Sequence, residues 1–200
     1  HTHIGSGSDP AAWKEVASYT LRYAAMFEEC NTLNLGGGFK VGRMQNEKTT
    51  DFQLIGIPVK EQFSEFARAP GRTVKLATEP GTHRMANAGC LLTRVEVLVD
   101  TGKEGFEFMK LNAGMDTNSR PSLYGAKHPL VAVSSANRTT GAPELKEYVV
   151  VGHCCESGDV FTQKMGGEPE TRLMGKVTIG DFVVMEGCGA YCAGMSTKNY

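Results

Sequence analysis

The sequence lacks several features that would mark large classes of proteins. It has no run of about 18 apolar residues, so it predicts no membrane-spanning helix. It has no basic stripe, and 21 Lys and Arg against 22 Asp and Glu leave a net charge of −1, which argues against nucleic-acid binding. What is present is a chain of 200 residues, 40% of them hydrophobic, long enough to form the core of one large domain or two small ones.

The cysteines lack the spacing of a metal or disulfide framework. None forms a Cys-x-x-Cys pair, and no His follows at zinc-finger spacing, so no metal site is predicted. The N-terminal stretch HTHIGSGSDP has neither the basic start nor the apolar run of a signal peptide, and it lacks an initiator Met. We therefore expect an interior cut or a processed end. We also expect reduced thiols in a cytoplasmic compartment, or a plastid in a photosynthetic eukaryote. The six cysteines are Cys30, Cys90, Cys154, Cys155, Cys188 and Cys192.

The first part of the chain alternates predicted strands and helices. A strand in HTHIG precedes a helix capped by Ser8 or Asp9, with Pro10 in its first turn. Further strands are predicted over 33–35 and 74–79, and a second helix over 58–69, stopped by the Pro-Gly pair at 70–71. This alternation predicts parallel strands with right-handed crossovers. Three strands are too few for an eight-stranded barrel, but they suit its last part.

The pattern changes near residue 88. Short strands are predicted over 90–99, 106–111, 130–133, 148–151 and 181–185, joined by loops rich in Gly, Ser and Asn. This pattern is typical of an antiparallel β domain. The sequence thus predicts an α/β part over 1–87 and a β-rich domain over 88–200.

Each of the first three strands ends in a glycine-containing turn, namely GSGSD, GGG and EPG. Ligands of α/β sheets bind at this carboxyl end, where glycine N–H groups can line an anion pocket. His3 is placed to stack on an aromatic cofactor ring, and Glu79 to pair with a protonated pyridine nitrogen. The structural alternatives are three tight turns, a packed imidazole and a solvated carboxylate.

The segment HCCESGDVF places a thiol and two carboxylates in one loop. Cys155 could donate a proton and Glu156 could bind a cation, whereas the alternative is a turn with a packed thiol. Arg120 and Tyr124 in RPSLYG could bind a carboxylate, although a surface Arg and a core Tyr have the same pattern. Tyr191 in GAYCAGMS would by itself indicate a core residue.

The motifs HIGSGSD, LNLGGGF, TEPG, RPSLYG, CESGDVFTQ and GAYCAGMSTKNY occur in this order. Together they resemble the diaminopimelate decarboxylase family, in the fold group of alanine racemase and ornithine decarboxylase, over nearly the whole chain. The resemblance implies the last strands of a (β/α)8 barrel that binds pyridoxal 5′-phosphate, followed by a β domain. It also implies a homodimer whose active sites take residues from both subunits and whose substrate is an amino acid, with no nucleic-acid or membrane partner.

The resemblance also implies residue roles at the cofactor. His3 stacks on the pyridine ring, and Glu79 contacts the ring nitrogen. The phosphate of the cofactor is bound by Ser6, Gly37 and Gly38. The cofactor is also bound by Pro80 and Gly81.

For the substrate, the resemblance implies decarboxylation of meso-diaminopimelate to L-lysine. Cys155 is the acid that protonates the carbon after CO2 leaves, and Glu156 binds the distal ammonium across the dimer interface. Arg120 and Tyr124 bind the distal end. Tyr191 lies near both the phosphate and the substrate.

Two departures from the family pattern keep alternatives open. The family has Arg directly after EPG, where this chain has Thr82, and we assign no role to Arg84. A related decarboxylase of ornithine or of a D-amino acid is therefore the second reading. No lysine lies in the motif that holds the cofactor, so we expect a piece of a longer polypeptide, inactive alone. A non-catalytic regulatory relative is the third reading.

Overall fold

The computed structural model describes residues 1–68, 72–136 and 144–197, and the chain divides into two compact units, His1–Arg84 and Met85–Tyr200. The predicted helix end at 69 and the Pro-Gly stop lie outside the described residues. The domain boundary at 87/88 stays a prediction. Within the described residues, no helix has the length and apolar character needed to cross a membrane.

The first helix of the first unit, α1, spans Pro10–Ala24. It begins as the sequence predicts, because the Asp9 carboxylate accepts the Ala11 N–H at 2.9 Å and Pro10 occupies the first turn. Its buried face carries Trp13, which stacks on Phe39 with ring centroids 4.3 Å apart. These residues anchor the main core of the unit.

The second helix, α2, spans Phe52–Arg68, so the predicted start at residue 58 is wrong. Asp51 caps it, because its side chain accepts the N–H groups of Gln53 at 2.8 Å and Leu54 at 3.3 Å. Pro58 lies inside the helix, where it forgoes one backbone hydrogen bond. The sequence reading placed Pro58 in the first turn and overlooked the cap.

The strands of the first unit run parallel, as predicted. Strand β1 (Thr32–Asn34) pairs in parallel with β2 (Lys75–Ala77). The N-terminal segment lies on the other side of β1, where the Thr2 N–H donates to the Asn34 oxygen at 2.9 Å. A parallel bridge joins Gly7 to Phe39 further along. The three predicted strand ends therefore reach the same edge. A short helix, α3 (Gly81–Met85), follows the EPG turn.

The second unit is built on a six-stranded sheet. Its strands are β3 (Leu91–Asp100), β4 (Glu107–Leu111), β5 (Leu130–Val133), β6 (Leu145–Val151), β7 (Arg172–Gly175) and β8 (Phe182–Met185). Their order is β5-β8-β3-β4-β6-β7, and β5 approaches β7, which nearly closes the sheet into a barrel. Strand β7 was not predicted. A short helix, α4 (Arg120–Tyr124), lies between β4 and β5.

The pairings of this sheet are antiparallel except for β4 with β6, which is parallel. The sheet is therefore mixed, although the predicted fold class, barrel strands followed by a β domain, is confirmed. Alternate residues of the strands fill the interior, and Val95, Met109, Leu111, Tyr148 and Val183 are each fully buried.

Candidate active site

The glycine-ended loops of the first unit are in backbone contact with one another. A Cβ at Gly37 would lie 2.5 Å from the Glu79 carbonyl oxygen, and one at Gly38 would overlap the Gly5 carbonyl oxygen. Gly38 also has a φ of +89°, which disfavours any residue with a side chain. The loops after the three strand ends therefore meet, and only glycine permits this close approach.

His3 packs on these glycines. Its Nδ1 accepts the Gly5 N–H at 2.9 Å, which fixes the ring orientation. Hypothetical Cβ atoms at Gly36 and Gly38 would lie 3.0 and 3.3 Å from ring carbons of His3. His3 is nevertheless exposed, so its imidazole is available to a flat ligand.

Glu79 is held by a neighbouring strand. The Asn34 amide donates to Glu79 Oε1 at 2.7 Å, while its oxygen accepts the Gly36 N–H at 2.8 Å. His1 Nε2 lies 3.5 Å from the same carboxylate oxygen. Asn34 thus orients the carboxylate that the sequence analysis selected. Sequence reasoning missed Asn34, although an Asn at the end of a strand, just before GGG, is a usable signal.

The remaining predicted cofactor residues flank the same loops. Ser6 is exposed and precedes Gly7, whose N–H donates to the Gly38 oxygen at 2.9 Å. Pro80 opens α3, since its carbonyl accepts the Arg84 N–H at 3.0 Å. A Cβ at Gly81 would meet no atom within 4 Å, so this glycine borders open space.

In the second unit, the buried Asp159 organises the loop that contains CESGD. Its Oδ1 accepts the Met115 N–H at 2.7 Å and its Oδ2 accepts the Cys154 N–H at 2.7 Å. The carboxylate fills space that side chains at Gly114 or Gly152 would occupy, since a Cβ at Gly114 would be 2.5 Å from Oδ2. Sequence reasoning noted a second carboxylate here but not this role, which depends on a contact 44 positions away.

Cys155 and Glu156 lie on the exposed side of this loop. Glu156 Oε1 accepts hydrogen bonds from the Ser157 hydroxyl at 3.2 Å and the Gly158 N–H at 3.1 Å. These bonds orient the carboxylate while leaving it open to solvent and to a cation. The loop thus exposes both the thiol and the carboxylate.

A second group of polar side chains lies at the start of this loop. His153 Nε2 is 3.0 Å from Asp116 Oδ1, and Cys154 Sγ is 3.7 Å from the same oxygen. Burial opposes ionisation of Asp116, but the hydrogen bond and charge of His153 outweigh it and lower the pKa of this carboxyl. Burial raises the pKa of the Cys154 thiol to about 11, so Cys154 is a neutral thiol at neutral pH.

Arg120 begins α4, and its guanidinium lies over the Tyr124 ring, 6.0 Å from the centroid. Arg120 Nε is buried and has no hydrogen-bond partner, while Tyr124 is half exposed. A buried donor without a partner costs free energy, which an acidic ligand would recover. The predicted pair is therefore together and able to take a carboxylate.

The segment that contains Tyr191 is tied to the start of α4, because the Ser119 hydroxyl donates to the Met195 oxygen at 3.2 Å. Tyr191 has a φ of 58°, which no other non-glycine residue shows within the described ranges. Its side chain is 56% exposed, so the core alternative is wrong. Such backbone strain persists where the surroundings enforce it and concentrates at functional sites.

Parallel strands with converging glycine loops, and a nearly closed β sheet that presents a Cys-Glu loop, define a two-part fold of the α/β plus β class. Residues 15–189 match the family described as pyridoxal-dependent decarboxylase, C-terminal sheet domain. The chain belongs to this family.

Curated relatives carry a more specific name. The chain is 36% identical over 199 residues to the diaminopimelate decarboxylase of Escherichia coli (strain K12), covering 99% of this chain and 47% of the relative. It is 33% identical over 202 residues to the diaminopimelate decarboxylase of Streptomyces coelicolor, and this match covers 98% of this chain and 44% of the relative. The chain thus spans about half the length of the curated relatives it matches.

Solved structures give the same result. A crystal structure of a diaminopimelate decarboxylase matches 98% of this chain and 47% of its own, with a TM-score of 0.90 and 35% identity. The diaminopimelate decarboxylase from Helicobacter pylori complexed with L-lysine matches 98% of this chain and 45% of its own, with a TM-score of 0.76 and 27% identity. Each unit therefore has the fold of the corresponding part of these solved structures.

Proposed function

We propose that the complete protein to which this chain contributes is a pyridoxal-phosphate-dependent carboxy-lyase that converts meso-2,6-diaminopimelate to L-lysine. The observation that carries this proposal is the exposed pair Cys155 and Glu156, presented on a loop that Asp159 clamps. A thiol acid beside a carboxylate suits a substrate that needs a proton at one carbon and has a second ammonium group. The relatives named above have the same printed activity.

The residues of the first unit fit the phosphate of the cofactor. In the described part of the chain, the N–H groups of Gly37 and Gly38 donate no hydrogen bond, and consecutive free N–H groups form an anion site. Ser6 adds an exposed hydroxyl from the adjacent loop. When bound, the pyridine ring withdraws electrons from the substrate's Cα, which allows the carboxylate to leave as CO2.

Two further side chains would hold the ring of the cofactor. His3 would stack on its face, because its ring is exposed and held in one orientation by Gly5. Glu79 would bind the protonated ring nitrogen, and Asn34 keeps that carboxylate in place. Pro80 and Gly81 would border the cofactor from the same turn.

The second unit would select the substrate and complete the reaction. Cys155 would give its proton to the carbon from which CO2 has left. Glu156 would bind the distal ammonium, and Arg120 with Tyr124 the distal carboxylate, using the unpartnered Nε. The strained Tyr191 would lie near the phosphate and the substrate.

The assembly that we propose is a homodimer whose active sites take residues from both subunits, with Glu156 acting across the interface. We propose a cytoplasmic location, or a plastid in a photosynthetic eukaryote, because all six cysteines are free thiols. Analytical ultracentrifugation of the complete protein tests the dimer, and a monomeric active enzyme would contradict it.

The test of the activity is a turnover assay of the complete protein with cofactor, using meso-diaminopimelate, ornithine and D-amino acids in parallel. We expect CO2 and L-lysine from meso-diaminopimelate. The second candidate, a decarboxylase of ornithine or a D-amino acid, is favoured by Thr82 in place of the family's Arg, and turnover of these substrates alone would support it. Cofactor binding without any turnover would indicate the regulatory relative.

A further inference from the structure

The side chains of Asp116, His153 and Cys154 form a group of mixed metal-ligand atoms outside the residues assigned above. Their carboxylate oxygen, imidazole nitrogen and sulfur atoms all lie within 4.8 Å of one another. Among the residues that the structure describes, this is the group found with such an arrangement. They come from two segments, the loop after β4 and the loop after β6, and Asp116 is 37 positions from His153 in the sequence. Spacing rules that look for ligands close in sequence could not have found them.

The two separations from Asp116 are close to those that a tetrahedral zinc site requires, and all three ligand atoms lie within 4.8 Å of one another. With bond lengths of about 2.1 Å to O and N and about 2.3 Å to S, tetrahedral ligands lie about 3.4 Å apart for N and O and about 3.6 Å apart for S and O. The observed distances from Asp116 Oδ1 are 3.0 Å to His153 Nε2 and 3.7 Å to Cys154 Sγ. Small rotations of the side chains would therefore suffice.

The two segments that carry these atoms are held together by one buried group. Asp159 accepts the N–H of Met115, next to Asp116, and the N–H of Cys154, both at 2.7 Å. The backbone of Cys154 and that of Met115, the neighbour of Asp116, are thus fixed before any ion binds. Such support by surrounding hydrogen bonds is what keeps metal ligands in place in proteins.

The group is also reachable from solvent. The side chains of His153 and Asp116 are 41% and 29% exposed. An ion could therefore enter without unfolding the loop, and three protein ligands would leave a fourth position open to water. Nitrogen, sulfur and oxygen donors together favour Zn²⁺ and chemically similar ions over Mg²⁺ or Ca²⁺.

We propose that Asp116, His153 and Cys154 form a binding site for a divalent transition-metal ion of the Zn²⁺ type, with an open fourth position. The site does not depend on the function proposed above. Its place on the loop of Cys155 means that an ion bound there would also hold that loop.

The test is a titration of the complete protein with Co²⁺, followed by absorbance, with Zn²⁺ as competitor. We expect a near-ultraviolet thiolate–Co²⁺ charge-transfer band and visible bands of four-coordinate Co²⁺, both removed by Zn²⁺. Cys154→Ser should abolish the charge-transfer band. His153→Gln and Asp116→Asn should each weaken binding by more than about 100-fold, since even indirect metal partners contribute about 10- to 100-fold.

Cys90→Ser is the matched control, because Cys90 is an exposed free thiol outside the group. It should leave the spectrum and the affinity unchanged, and circular dichroism of every variant shows that it is folded. Absence of the charge-transfer band in the wild type, or its persistence in Cys154→Ser, would overturn the proposal. Asp116 and His153 would then be a hydrogen-bonded pair only.

Discussion

Cys155 and Glu156 are neighbours in the chain, yet their proposed roles should affect different kinetic constants, kcat for Cys155 and KM for Glu156. In the proposed function, Cys155 would act only after the substrate has lost CO2, whereas Glu156 would contact the substrate from the moment of binding. Glu156 is oriented by Ser157 and Gly158, and both residues are exposed. Loss of the first should lower the rate of turnover, and loss of the second should weaken substrate binding.

For Cys155→Ala in the complete protein, we expect kcat to fall by roughly 10²- to 10⁴-fold, because a positioned proton donor contributes about this much. The absorbance of the bound cofactor should remain, since the cofactor residues lie elsewhere in the sequence. Steady-state kinetics and an absorbance spectrum measure the two effects. Cys90→Ala serves as the control, and unchanged turnover in Cys155→Ala would remove this residue from the acid role.

For Glu156→Gln, we expect KM for meso-diaminopimelate to rise by roughly 10-fold or more, because a hydrogen bond to a charged group contributes about 1.5–3 kcal/mol. Glu168→Gln is the control, since Glu168 is an exposed carboxylate paired with Lys164. An unaltered KM would show that Glu156 does not recognise the ammonium group.

At this scale the sequence reveals residues whose chemistry is visible in a motif, and it hides those that act through distant partners. Cys155, Glu79 and Arg120 could be selected from residue type and neighbouring glycines. Asp159 could not, because its role depends on a contact 44 positions away, whereas Asn34, whose partner is 45 positions away, was missed although it ends a strand just before GGG. The roles of the selected residues themselves stay predictions.

At the scale of elements, periodicity predicted the two long helices and most strands, but not the short helices α3 and α4 or the strand order of the second unit. The start of α2 was missed because a proline usually marks the first turn, and here Asp51 caps the helix six residues earlier than Pro58 suggested. Strand β7 has the sequence RLMG, which lacks the β-branched and aromatic residues typical of strands, and it follows a turn-rich stretch, so the sequence did not indicate it. The parallel pairing of β4 with β6 required knowledge of the connection between them.

The meeting of the glycine loops leads to a prediction about their packing. Gly38→Ala should destabilise the complete protein by roughly 2–4 kcal/mol, because its Cβ would overlap the Gly5 oxygen at an unfavourable φ of +89°. Denaturant unfolding measures the change, and the affinity for pyridoxal phosphate should fall with it.

Gly56→Ala is the matched control. Gly56 lies within α2, and a Cβ there would meet no atom within 4 Å. Alanine should stabilise the helix by about 0.5–1 kcal/mol. Equal stability of Gly38→Ala and wild type would contradict the close approach of the loops.

At the scale of the whole molecule, Asp181 links the stability of the second unit to pH. Burial opposes ionisation of Asp181, but hydrogen bonds from the N–H and hydroxyl groups of Ser135 and Thr178 outweigh it and lower the pKa from 3.8 to about 2. The native state therefore prefers the ionised form more strongly than the unfolded chain does. This preference stabilises the protein by about 2 kcal/mol at neutral pH.

Because the native pKa is the lower one, this contribution is complete above pH 4 and is lost as the pH falls toward about 2. We expect the free energy of unfolding to drop over this range in the wild type, and to drop by less in Asp181→Asn, which starts from a lower stability. Denaturant titrations at several pH values measure this, with Glu104→Gln, an exposed carboxylate, as the control. Parallel curves for wild type and Asp181→Asn would contradict the assignment.

Strand β8 lies between β3 and β5, and its position limits when the second unit can form. The Thr93 hydroxyl of β3 donates to Val183 of β8, 90 positions later. Closing so long a loop is slow, because its conformational entropy is lost before the contacts form. In a growing chain, β5 and the edge of β3 that faces β8 therefore stay without their partner until β8 is inserted between them.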